Sequence, residues 1–305
     1  MGLSCSLPSG VANGTLLGGV VSEKNNCICA SGKQAILGMT CYHVVRYDAN
    51  GNIDPDIQAN GAINLTWPFQ SPSKDDIKAA EDLARTQISS LRSADPTIAS
   101  LMVKRQQLGQ QRLQEVTDFD PMIGQVVAVS WLRNVPLSTD TSKMAIMDWA
   151  LVEVTNSRMS VNYIGTIVDG LESQDAKLAW HPVAPSTIKV TSLPTTNSYV
   201  FKRGRSTGVT AGILGRFAPA SMRISSSPTG LHHRALIVNI SPTDGRAFAA
   251  AGDSGAWCLN GKGHVVGLVI GGDETDGTAL ILPMELVFDD MEQLTGWPRG
   301  SLELA

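Results

Sequence analysis

The chain has 305 residues, 43% apolar and 17% charged, with a formal net charge of −4, proportions of a globular protein with one large or two ordinary domains. No apolar run approaches the roughly 18 residues needed to cross a bilayer, and the mild acidity offers no footprint for phosphate backbones, so neither a membrane span nor nucleic-acid binding is expected. The 29 glycines, with Val, Ile and Leu in short bursts, favour many strands and tight turns, and the expected class is all-β.

The opening Met-Gly-Leu-Ser-Cys-Ser lacks the basic and long apolar regions of a secretory leader, which points to a cytoplasmic, reducing setting. Gly2 and Ser6 satisfy an N-myristoylation pattern, with Cys5 open to a second acyl chain, but so short a pattern arises by accident and lipidation is not expected. The other cysteines are Cys27, Cys29, Cys41 and Cys258. Cys27 and Cys29 form a C-x-C pair without a second pair at metal-site spacing, so packed free thiols are expected, with no metal and no cofactor.

Strands are expected over 14–21, 27–39, 125–132, 145–154, 187–191, 198–202, 231–240, 256–259 and 264–270. Asn260-Gly261 marks a hairpin, since both residues tolerate positive φ. Ile77, Ala80, Ala84, Ile88 and Leu91 recur at helical steps behind Ser73, a suitable N-cap, and Asp95-Pro96 starts a second helix with Ile98, Leu101, Met102 and Leu108 on its apolar face. A helical hairpin over about 73–116 interrupts the strands. The stretch 165–185 has no strand period and separates two halves, 11–164 and 186–292, the second ending in a short C-terminal helix.

The strongest chemical signal is Ala251-Gly-Asp-Ser-Gly-Ala256. A Ser between glycines on a tight turn presents its hydroxyl and nearby amides unobstructed. The strand-turn-strand setting lacks the helix that the G-x-S-x-G elbow requires. A Ser hydroxyl needs a general base, itself oriented by a buried carboxylate. Among five histidines, His43 closes a strand in Gly38-Met-Thr-Cys-Tyr-His-Val-Val45 and is preferred over His181, His232, His233 and His264. Asp148 lies inside the apolar run Ala145-Ile-Met-Asp-Trp-Ala-Leu-Val152, where a carboxylate must be paired to stay charged, which suits the orienting role.

The order His43, Asp148, Ser254, in T-x-x-H-V, D-x-A-L-V and G-D-S-G contexts, resembles the chymotrypsin-like (trypsin-like) serine proteases. Gly14-Thr-Leu-Leu-Gly-Gly-Val-Val and Lys202-Arg-Gly-Arg-Ser-Thr-Gly-Val-Thr-Ala-Gly212 are similar to the strand before the His motif and the hairpin opening the second barrel in intracellular and microbial members. The resemblance implies a double antiparallel β-barrel, with His43 and Asp148 from the first barrel and Ser254 from the second. It also implies an oxyanion hole from the amides of Gly252 and Ser254, with a specificity pocket based on Phe248 and Ala249 and walled by Gly272 and Gly277. Such a pocket is apolar and shortened by the ring, unless Asp273, Glu274 or Asp276 folds in to select Lys or Arg. Cys41 precedes His43 without a partner following it, so the disulfide of secreted relatives is not expected. Asp253, whose counterpart in secreted zymogens pairs with a newly made N-terminus, is expected to find another partner. The function implied is a serine endopeptidase performing limited proteolysis of an intracellular protein or peptide substrate, with the helical hairpin as a lid or partner-docking element. The alternatives are a catalytically silent binding module and, more weakly, an esterase.

Overall fold

The computed structural model describes residues 3–5, 14–16, 20–23, 36–45, 62–70, 73–90, 96–137, 140–154, 167–182, 189–223, 232–243, 245–273 and 275–304. In chain order these form β1 (Leu3–Cys5), β2 (Gly14–Leu16), β3 (Val20–Glu23), β4 (Ile36–Thr40), α1 (Tyr42–Val45), β5 (Ala62–Gln70), α2 (Lys74–Ser90) and α3 (Pro96–Thr117). There follow β6 (Met122–Val129), β7 (Arg133–Leu137), β8 (Asp140–Met147), β9 (Ala150–Val154), α4 (Gln174–Ala179), β10 (Tyr199–Arg203), β11 (Val209–Arg223) and β12 (His232–Pro242). The last elements are β13 (Trp257–Asn260), β14 (Val265–Gly272), β15 (Ala279–Pro283), α5 (Met284–Thr295) and β16 (Leu302–Leu304). Gly2, Cys27 and Cys29 lie outside the described residues. No helix among those described is long and apolar enough to cross a membrane.

The second half closes into a six-stranded barrel, β10-β11-β12-β15-β14-β13, and the first forms a six-stranded sheet, β16-β3-β4-β9-β6-β5. The strands pair antiparallel with their neighbours. In β14 every residue from Val265 to Ile270 is buried, because both of its faces are covered. Val266 and Val269 join the barrel's inner cluster with Val200, Leu214 and Ile240. Val265, Leu268 and Ile270 join a larger cluster that includes Leu37, Met39, Val126 and Leu151 of the first sheet and Val287 and Met291 of α5. One strand is therefore apolar on both sides, and the cores of the two halves meet across it.

The chain end returns to the first half, β16 pairing with β3. The buried carboxylate of Glu292 secures that return by accepting N–H bonds from Gly300 at 2.7 Å and Leu302 at 3.0 Å. The stretch 165–185 contains α4, capped by Ser173, and docks through Leu171, Ala176 and Trp180 into the larger cluster.

The helical insertion replaces the turn between the paired strands β5 and β6. Ser73 caps α2 as its pattern predicts, its hydroxyl accepting from the N–H of Asp76 at 3.3 Å. Of the apolar face expected on α3, Leu101 and Leu108 stand 62% and 58% exposed while Met102 is half-buried. Gly109 decides the rotation: a Cβ there would come within 2.8 Å of Ile88, so the helices meet where the side chain is missing. The run expected as one strand over 145–154 breaks into β8 and β9 at Asp148-Trp149. There the Trp149 N–H donates to Ser130 Oγ at 2.8 Å and the Ser130 N–H to the Trp149 carbonyl at 2.9 Å. The Asn260-Gly261 hairpin forms, but the positive φ falls on Gly263. Asn260 acts through its side chain, accepting from the N–H groups of Lys262 at 2.9 Å and His264 at 3.1 Å.

Candidate active site

His43 sits in α1, directly after β4, and the buried Tyr42, Val44 and Val45 around it leave the imidazole facing outward. Its Nδ1 lies 2.6 Å from Asp148 Oδ2, and its backbone N–H donates to Asp148 Oδ1 at 2.9 Å. The two residues are 105 positions apart, and both carboxylate oxygens serve the same histidine. A neutral imidazole that gives its Nδ1 proton to a carboxylate carries its basic lone pair on Nε2.

Asp148 is wholly buried, and its place depends on Trp149. The indole N–H of Trp149 donates to Asp290 Oδ2 at 2.7 Å, and Arg133 Nη2 donates to Asp290 Oδ1 at 2.6 Å. Burial raises the Asp290 carboxyl above its ordinary value, against the pull of Trp149 and Arg133. Sequence reading missed Asp290, because its helical setting gives no sign that it reaches a strand end 141 positions away.

Ser254 occupies a turn between two glycines of positive φ, Gly252 at 94° and Gly255 at 92°, a conformation that disfavours any side chain. The turn is fixed by Asp253, whose N–H donates to the Ala250 carbonyl and whose carbonyl accepts from the Ala256 N–H, both at 3.0 Å. The carboxylate of Asp253 receives the Ser206 N–H at 2.7 Å, the Thr207 hydroxyl at 2.6 Å, the Ala250 N–H at 3.1 Å and the Lys202 ammonium at 3.1 Å. Lys202 and Asp253 are both fully buried. Desolvation pushes Asp253 up, but the Lys202 charge and the bonds from Thr207 and Ser206 outweigh it and hold the carboxyl below its ordinary value. Desolvation also lowers Lys202, more than Asp253 restores. The partner that sequence could not supply for Asp253 is thus an internal lysine, from the Lys202-Arg-Gly-Arg-Ser-Thr-Gly segment already singled out for another reason.

One carbonyl joins the two sides. Val269 O accepts from Cys41 Sγ at 3.2 Å and from the Gly255 N–H at 2.8 Å. Cys41 is two residues before His43 and Gly255 one after Ser254, so the two motifs converge on one peptide group of β14. The ligand atoms of Cys41, His43 and Asp148 lie within 4.8 Å of one another. That spacing would admit a metal, but both Asp148 oxygens accept from His43 and the thiol is turned to Val269. Cys41 and Cys258 are buried, and burial pushes the Cys258 thiol far up.

Phe248, Ala249, Gly272 and Gly277 come together beside this turn. The Phe248 N–H donates to the Gly277 carbonyl at 2.9 Å, and a Cβ on Gly272 would lie 3.0 Å from the Ala249 carbonyl oxygen. The Phe248 ring is fully buried in the barrel's inner cluster, 5.8 Å from Lys202 Nζ. Asp273 and Asp276 bond within their own loop, accepting from the Thr275 and Thr278 N–H groups at 2.8 Å. Glu274 lies outside the described residues. His181 and His264 line a separate cleft with Lys189 and Lys262, and His232 and His233 pair with Arg223 and Met222 in β12 and β11.

A closed antiparallel barrel packed on a second sheet, with a His–Asp pair whose carboxylate is buried converging on a Gly-Asp-Ser-Gly turn, places the protein among the chymotrypsin-like serine proteases. Its sequence matches the model of peptidase family S64 over residues 1–297, and the chain belongs to that family as a serine endopeptidase. No curated protein matches it. It is similar to a solved glutamic acid-specific serine protease at 12% identity, covering 99% of this chain and 97% of that one, with a TM-score of 0.46. A Nocardiopsis protease matches at 16% identity over 99% and 96% of the two chains with a TM-score of 0.45. Protease A of Thermobifida fusca matches at 14% identity over 100% and 96% with a TM-score of 0.46.

Proposed function

We propose that the protein hydrolyses peptide bonds through an acyl-enzyme, with Ser254 as nucleophile, His43 as general base and Asp148 as the carboxylate that orients it. The observation that carries this reading is the convergence of Cys41 and Gly255 on the carbonyl of Val269, which draws the His43 and Ser254 segments to one point. His43 takes the Ser254 proton through Nε2, Ser254 Oγ attacks the substrate carbonyl, and Asp148 stabilises the imidazolium that forms. The amides of Gly252 and Ser254 receive the developing oxyanion, each such donor contributing about 3 kcal/mol to the transition state. His43 then returns its proton to the leaving amine, and water releases the acyl group by the same steps in reverse.

The substrate is a protein or peptide, cut in limited proteolysis within the cell. Its side chain before the scissile bond is small or medium and apolar, because Phe248, Ala249, Gly272 and Gly277 supply no charge to pair with a cation. Labelling with a fluorophosphonate probe followed by intact-mass and peptide analysis tests the assignment. One adduct on Ser254, lost in Ser254→Ala and in His43→Ala, is expected; an adduct elsewhere, or none, removes the triad.

A further inference from the structure

The helical insertion reaches the nucleophile turn through one ion pair. Asp76 stands in the first turn of α2, and Arg205 takes both of its oxygens, Nε donating to Oδ2 at 3.0 Å and Nη2 to Oδ1 at 2.6 Å. These residues are 129 positions apart. A two-pronged bond of this kind fixes the plane of the guanidinium as well as its position. The remaining nitrogen, Nη1, lies against Gly252: a Cβ built there would meet it at 2.8 Å and Ser206 Oγ at 2.5 Å. Ser206 gives its N–H to Asp253 and its hydroxyl to the Ala251 carbonyl. Residues 205 and 206 therefore touch Ala251, Gly252 and Asp253, the three residues that precede Ser254.

Gly252 is the weak point of such a turn. With no Cβ it passes between peptide orientations at little cost, and a rotated peptide would turn a donor away from the oxyanion. A guanidinium packed against its α-carbon opposes that rotation. We propose that Arg205, locked by Asp76, is a positioning residue for the Gly252 amide, so that the helical insertion sets the orientation of an oxyanion donor. The proposal rests on the Ser254 reading above. A partner seated on α2 and α3 would then act on turnover through Asp76 rather than by covering the cleft.

The test is steady-state kinetics on a short peptide substrate, with binding of a peptidyl boronic acid as a transition-state mimic. Asp76→Asn keeps Arg205 but releases its plane. We expect kcat to fall roughly tenfold, with boronate affinity falling in parallel, KM changing by less than about twofold and the thermal midpoint holding. Arg205→Lys should behave alike, and the double variant no worse than either single one. Because the pair is partly exposed, raised salt should slow the parent enzyme and leave Asp76→Asn unaffected. An unchanged kcat in Asp76→Asn, additive losses in the double variant, or kcat falling only together with the thermal midpoint would each overturn the proposal. Fluorophosphonate labelling of the parent enzyme separates the two claims: labelled Ser254 with an unaffected Asp76→Asn sinks the coupling alone, whereas an unlabelled Ser254 sinks the triad beneath it.

Discussion

Two fully buried aspartates stand on either side of the site, and their partners differ. Asp148 spends both oxygens on one half-exposed histidine, whereas Asp253 spends its oxygens on a buried lysine, three backbone amides and a hydroxyl. The first arrangement suits a group that, on the proposed reading, gains and loses a proton. The second draws several backbone segments into one shape and moves no proton. A buried carboxylate by itself therefore says little about role; what distinguishes the two is whether the partner remains accessible.

The largest expected effect falls on the histidine side. Ser254→Ala and His43→Ala should each lower kcat by on the order of 10⁴ to 10⁶ with the thermal midpoint nearly unchanged, and Asp148→Asn by on the order of 10⁴, since triad members act as a unit. If activity survived His43→Ala but not His232→Ala or His233→Ala, the base would be one of those two.

Asp253→Asn should separate the two carboxylates by stability. It leaves the Lys202 ammonium buried without its counter-charge, a loss of about 3–5 kcal/mol in denaturant unfolding. Asp148→Asn should cost less, because the carboxamide keeps one oxygen for the His43 N–H and its NH2 can donate to Nδ1 of the other imidazole tautomer, leaving no buried charge unpaired. Equal losses would show that Asp148 is as structural as Asp253.

The acid limb sharpens the same contrast. The folded-state value of Asp253 lies below its ordinary 3.8, so its stabilisation is present above pH 3.8 and disappears as pH falls through the lower folded value. Asp290 is raised instead: its contribution is present below 3.8 and fades as pH rises through the folded value. Unfolding midpoints followed below about pH 5 should show the acid-side loss diminished in Asp253→Asn, while Asp290→Asn should remove an opposite slope and cost only about 1 kcal/mol at neutral pH.

The smallest effect concerns selectivity. Phe248→Leu should shift a peptide-library profile modestly toward larger apolar residues before the cleaved bond if, as proposed, Phe248 underlies the specificity pocket, because it shortens that side chain. Strong cleavage after Lys or Arg, abolished by mutating Asp273 or Asp276, would displace the apolar pocket.

Much of the site could be read without coordinates. Gly252 and Gly255 around Ser254, the apolar run around Asp148 and the strand leading toward His43, which ends at Thr40 with His43 in the short helix after it, are local patterns, and local patterns survive in sequence because turn conformation, strand period and helix capping depend on near neighbours. Ser73 as a cap, the helical insertion and most strands of the second barrel follow from the same rules. What depended on distant groups did not. The Lys202 partner of Asp253, the Asp290 support of Trp149, the rotation of α3 set by Gly109 against Ile88, and the return of β16 to β3 each join residues whose own neighbourhoods give no sign of the meeting. Sequence by itself determined which residue types the proposed site would use to attack, accept a proton and orient the base. Tertiary structure alone decided what holds them, because a buried charge is defined by whichever group the fold brings within hydrogen-bond reach.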